Sequence, residues 1–89
     1  MPGVQVIIKG HVQGVYFRAS AREKALSLDL KGWVKNSPEG HVELVACGNQ
    51  ENIEKFLNWC RQGPRGAKVT DIQVVAIEAI GFNTFTILH

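Results

Sequence analysis

Long apolar runs are missing from this chain of 89 residues, and with them the ~20-residue stretch that a membrane-spanning helix needs. No basic segment followed by an apolar core opens it, so no secretory leader is read and the cytoplasm is the expected compartment. Cysteine is scarce: Cys47 and Cys60 stand alone, too far apart for a metal site or a disulfide framework, and both are expected to be reduced packing residues. Charge of one sign is in small excess, ten Lys and Arg against eight Asp and Glu for a net +2. A mild excess favours anionic partners but lacks the concentrated basic stripe of a nucleic-acid binder. Neither GxxxxGK[ST] nor GxGxxG occurs, which removes the Walker loop and the dinucleotide fingerprint. No Ser-His-Asp pattern or paired carboxylates are visible, and His11, His41 and His89 are scattered without ligand spacing, so no metal and no cofactor are expected.

What is present suits one soluble domain over residues 1–89. Hydrophobic residues make up 45% and charged residues 20%, as in an ordinary folded protein. VQVIIKG (residues 4–10) reads as a strand with Val4, Val6 and Ile8 on one face. Phe17, Ala21, Ala25 and Leu28 recur at helical spacing and predict a helix over about 18–29. KGWVKN (31–36) and HVELVAC (41–47) read as strands around the turn SPEG (37–40), where Pro38 sets φ and Gly40 accepts a positive one. Ile53, Phe56, Leu57 and Cys60 mark a second helix over about 50–61, with Gly63 placed to end it. After the loop GPRGAK, residues 69–80 read as a long fourth strand and 85–89 as a short closing one. The expected fold is therefore α+β, a ferredoxin-like βαββαβ sandwich with two helices on one face of an antiparallel sheet. Alternation along the third strand sets Cys47 on the face away from the helices, while Cys60 lies on the core stripe of the second helix, so the two thiols are not expected to pair.

The stretch GHVQGVYFR (10–18) joins the first strand to the first helix. Glycine lets backbone N–H groups converge on one point, because no Cβ blocks the dihedrals this requires. Successive inward N–H groups form an anion nest, and the helix that follows adds its own unpaired N–H groups and the positive end of its dipole. Arg18 adds a planar fork matched to two phosphate oxygens. Asn36, ahead of Ser-Pro-Glu-Gly, reads from spacing alone as a turn former. Trp33 and Trp59 read as residues that pack a core edge.

GHVQGVYFR resembles the acylphosphatase signature Gly-x-Val-Gln-Gly-Val-x-Phe-Arg, and GWVKNSPEGHVELVACG (32–48) is similar to that family's second signature. The resemblance implies a βαββαβ fold and hydrolysis of an acyl phosphate to a carboxylate and inorganic phosphate without a metal. Carried over residue by residue, it places the phosphate-binding loop on Gln13, Gly14, Val15, Tyr16, Phe17 and Arg18. The catalytic arginine falls on Arg18, and the asparagine that holds the attacking water falls on Asn36. The implied partners are a small-molecule acyl phosphate and inorganic phosphate as product and competitive inhibitor, acting on a monomer with neither nucleic acid nor membrane involved. Many relatives carry glutamine where Glu23 stands, leucine or similar where Ser37 stands, and arginine or tyrosine where this chain reads Leu88-His89. These departures touch the surroundings of the site and leave the catalytic groups intact.

Two other readings are compatible with the fold. An RNA-binding module stacks bases on aromatics of its central strands, but residues 4–10 and 41–47 contain none. A phosphate-binding regulatory or maturation domain without useful turnover is the closer rival, and retention of both Arg18 and Asn36 argues against it.

Overall fold

The structure is a computed structural model that describes residues 1–78 and 81–89. Its elements follow in the order β1 (Pro2–His11), α1 (Phe17–Ser27), β2 (Lys31–Asn36), β3 (Val42–Cys47), α2 (Gln50–Gln62), β4 (Lys68–Glu78) and β5 (Phe85–Ile87). The strands form one sheet in the order β4-β1-β3-β2-β5. The expected βαββαβ order is found, with a fifth strand at the edge. β1 begins earlier than periodicity alone suggested, and α1 starts and stops sooner. The last part of the predicted fourth strand, Ala79 and Ile80, lies outside the described residues.

The sheet is mixed, which corrects the expectation of an antiparallel one: β5 pairs parallel to β2, with Val34 opposite Ile87. The reason is directional. β1 is antiparallel to both β3 and β4, and β2 is antiparallel to β3, so β4 runs opposite to β2. A chain that reverses after β4 returns alongside β2 in the same sense.

The alternation read from sequence sorts the two faces. Val4, Val6 and Ile8 from β1 and Val42, Leu44 and Ala46 from β3 join Phe17, Ala21, Ala25, Ile53, Phe56 and Cys60 of the helices in one buried core. Deleting a buried side chain of this size typically costs about 2–5 kcal/mol. Trp59 packs at the edge of that core, with its ring 5.4 Å from Phe17 and 6.0 Å from Phe56. The other face carries a smaller cluster of Val45 and Cys47 with Trp33, Ile77 and Phe82 against it. Cys47 and Cys60 therefore lie on opposite sides of the sheet, both free and buried. Burial raises both thiol pKa values, that of Cys60 to about 12. Among the described residues, no helix is long and apolar enough to cross a membrane.

One glycine of the opening motif serves the sheet. Gly10 lies within β1 at φ 128, beside a register shift against β4, and a Cβ there would overlap the Lys68 carbonyl. Sequence had assigned it to the anion loop. The bulge is what requires it, since only glycine combines that φ with so close a backbone neighbour.

Candidate active site

The loop between β1 and α1 is built around two left-handed residues, Gly14 at φ 75 and Tyr16 at φ 60. Glycine adopts this region freely, whereas for tyrosine it costs about 1–2 kcal/mol. Such cost is characteristic of functional loops, where neighbouring structure holds the conformation in place. Tyr16 also occupies the position before α1, where no side-chain cap is formed. The helical ladder begins with the Ser20 amide donating to the Tyr16 carbonyl at 3.0 Å. Among the described residues, the N–H groups from Val15 to Ala19 meet no protein acceptor. A run of free donors beside the positive end of a helix dipole is an arrangement that suits an anion.

Arg18 stands on the first turn of α1, half-buried. Among the described residues it forms no ion pair. Arg22, one turn on, is engaged: its Nε donates to the Phe85 carbonyl at 3.2 Å and ties α1 to β5. Asn36 closes β2, where the SPEG turn departs. Two features bring this turn to the loop. The Ser37 amide donates to the His41 carbonyl at 2.9 Å, and the His41 amide donates to Ser37 Oγ at 3.2 Å. Gln13 Nε2 then donates to both the Ser37 and His41 carbonyls, each at 2.9 Å. The glutamine of the first motif thus clamps the turn of the second.

Gly14, Tyr16, Arg18, Ala19, Asn36, Ile87 and His89 line one pocket of about 400 Å³. The loop residues predicted from sequence divide accordingly. Gly14, Tyr16 and Arg18 reach the pocket, Gln13 faces the turn, Phe17 is buried in the core and Val15 packs against it. A Cβ on Gly14 would meet nothing within 4 Å, so its glycine answers to φ rather than to crowding. Sequence reasoning did not place Ala19, Ile87 or His89 here. His89, which has no ligand spacing in the sequence, is both exposed and part of the pocket wall. Short-range spacing carries no signal for a residue delivered by the far edge strand. His11 ends β1 opposite Lys68 and is not among the lining residues.

Together these features define a ferredoxin-like α+β sandwich whose strand-to-helix loop carries free amides beside an unengaged arginine. Residues 4–87 match the acylphosphatase family. The chain belongs to the acylphosphatase family. It is 48% identical over 90 residues to an acylphosphatase of Methylococcus capsulatus, covering 100% of this chain and 98% of that one. Among solved structures it superposes on an acylphosphatase from Bacillus subtilis with a TM-score of 0.96 at 36% identity, covering 100% of both chains. An acylphosphatase from Coxiella burnetii gives a TM-score of 0.93 at 41% identity, covering 97% of this chain and 90% of that one.

Proposed function

We propose that this chain hydrolyses the carboxyl–phosphate bond of acyl phosphates, releasing a carboxylate and inorganic phosphate by in-line attack of a water held in the Arg18–Asn36 pocket. The observation that carries the reading is that the loop with the unpaired amides lines one pocket through Gly14, Tyr16, Arg18 and Ala19, and that Asn36 lines the same pocket. The loop from Gln13 to Arg18 receives the phosphoryl oxygens on its backbone, and Gln13, Val15 and Phe17 hold its shape. Arg18 binds two of those oxygens through its planar fork. Asn36 hydrogen-bonds the attacking water and aims it at phosphorus.

The modest equipment suits this reaction. A carboxylate leaving group has a conjugate acid of pKa about 4, so no general acid has to protonate it. Charge in the transition state resides on the transferring phosphoryl group, and fixed donors around that group are enough to stabilise it. The phosphate of the substrate accepts the proton from the attacking water. Inorganic phosphate, as product, then competes for the same donors. The catalytic unit is one chain over residues 1–89, in the cytoplasm, acting on a small molecule without nucleic acid or membrane.

Phosphate release from benzoyl phosphate tests this directly, and a folded wild-type protein with no turnover above the spontaneous rate overturns it. Among the described residues no group of three His, Cys, Asp or Glu gathers to hold a metal. EDTA is therefore expected to leave the rate within about twofold, because no carboxylate cluster of the kind that binds Mg²⁺ accompanies the loop. Abolition by EDTA and restoration by Mg²⁺ refutes this mechanism.

A further inference from the structure

Gripping the phosphoryl group and aiming the water take the loop backbone, the Arg18 guanidinium and the Asn36 side chain, and leave the other side chains of the pocket wall without a task. That remainder is Tyr16 and Ala19 on one side and Ile87 and His89 on the other. Resting on the acyl phosphate hydrolysis proposed above, we infer that this second half is an acyl subsite supplied by β5, and that it selects bulky apolar acyl groups over acetyl.

Size is the first argument. The pocket encloses about 400 Å³, whereas a phosphoryl group fills only a few water volumes of about 30 Å³ each. Composition is the second. The wall beyond the phosphate donors offers a branched aliphatic side chain, a methyl group and an aromatic ring, and Tyr16 is 84% exposed at its mouth. An exposed ring held at a costly φ beside a site is suited to offset packing against a planar group.

Register is the third. Alternate residues of a strand share a face, so Phe85, Ile87 and His89 form a series on one side of the edge strand. Phe85 is fully buried, Ile87 is half-buried at the core margin and His89 is exposed. The core thus continues into the pocket as an apolar floor and ends in a polar rim. The parallel pairing sets Val34 opposite Ile87. Extended by two residues, the same register brings His89 level with Asn36. The wall is also firmly seated. The Gly32 amide donates to the Thr84 carbonyl at 3.0 Å and the Leu88 amide to the Val34 carbonyl at 2.8 Å. Through Arg22 and Phe85, α1 is fastened to the same strand. Phosphate donors on α1 and acyl wall on β5 are therefore held at fixed separation.

The test measures kcat/KM for benzoyl phosphate and acetyl phosphate, each divided by its spontaneous hydrolysis rate, in wild type, Ala19→Leu and Ile87→Ala. A hydrophobic pocket typically separates substrates differing by one methylene by about 10–200-fold. Wild type is expected to favour benzoyl phosphate by at least about tenfold, and both variants to reduce that ratio by more than about threefold. Inhibition by inorganic phosphate should stay within about twofold, since neither change removes a phosphate donor. Ile87 also touches the core, so its variant is judged with a melting curve beside it. Ala19→Leu lies on an exposed first turn and keeps the test decisive if Ile87→Ala fails to fold. A ratio in folded Ala19→Leu within about threefold of wild type overturns the acyl subsite while leaving the hydrolysis standing. Loss of turnover on both substrates in wild type overturns the hydrolysis itself.

Discussion

The two helices of this chain begin in opposite ways. α2 is capped by Asn49, whose Oδ1 accepts from the Glu51 amide at 2.8 Å, and Glu51 places a carboxylate in the first turn. α1 has a left-handed tyrosine before it, no side-chain cap and no acidic residue in its first turn. Every helix start leaves amides unpaired, and the ordinary remedy is a short polar side chain of the Asn49 kind. At α2 the chain spends that device on stability. At α1 it leaves the donors open, and an acidic side chain there would compete with the anion that the loop is proposed to hold. An open start beside a positive-φ residue at α1 is thus what the proposed anion site requires, while α2 carries a side-chain cap.

The largest expected effect is at Arg18. Removing one preorganised donor from a developing charge typically lowers turnover by about 10²–10³-fold, and Arg18→Ala is expected to do at least this while weakening phosphate inhibition in parallel. Lysine should fail to rescue it, because a point charge lacks the fork. Unchanged kinetics in a folded Arg18→Ala protein would remove the arginine from the site.

Asn36 should break differently. Asn36→Ala is expected to lower kcat by about tenfold or more while phosphate inhibition stays within a few-fold, a loss confined to the transition state. A melting curve is needed alongside, because Asn36 borders the turn clamped by Gln13. Wild-type kcat in a folded Asn36→Ala protein makes the residue a turn former and gives the water another host.

The open end of α1 should respond to ligand more than the capped end of α2. An anion that binds only the folded chain stabilises it by RT ln(1 + [L]/Kd), about 2.7 kcal/mol at a hundredfold excess over Kd. Saturating phosphate should raise the melting temperature above that in chloride at equal ionic strength, and Arg18→Ala should lose most of the increment. Equal melting temperatures in the two salts contradict an anion site at α1. The smallest effect belongs to the cap: Asn49→Ala should cost about 0.5–2 kcal/mol of stability with kcat/KM unchanged. A change in activity from Asn49→Ala would show that the two helix starts are coupled.

Much of the fold was legible because its alternation is clean. Val4, Val6 and Ile8, the Phe17–Ala21–Ala25 stripe and the Ile53–Phe56–Cys60 stripe all face the core they were read to face. The periods of 2 and 3.6 are local properties, and local properties survive in sequence. The direction of β5 was not legible, because three residues of strand carry no record of which neighbour they will pair with. The site was half legible. Gly14, Tyr16 and Arg18 lie together in one short motif, while Gly10, read with them, is required by a bulge against β4 that involves residues far along the chain.

The sequence by itself determined the order of the elements, the faces they bury and a strand-to-helix loop whose glycine and arginine suit an anion. Each of these follows from residue chemistry within about one turn or one strand of chain. Only the tertiary structure decided that Asn36 shares a pocket with Arg18, that Gln13 fastens the two motifs together and that Ile87 and His89 complete the wall. Those meetings bring together β1, β2 and β5 across a sheet whose order β4-β1-β3-β2-β5 differs from the order of the chain. Pairing between distant segments is fixed by burial of the whole core rather than by any local stretch, so the loop could be read in advance and its surroundings could not.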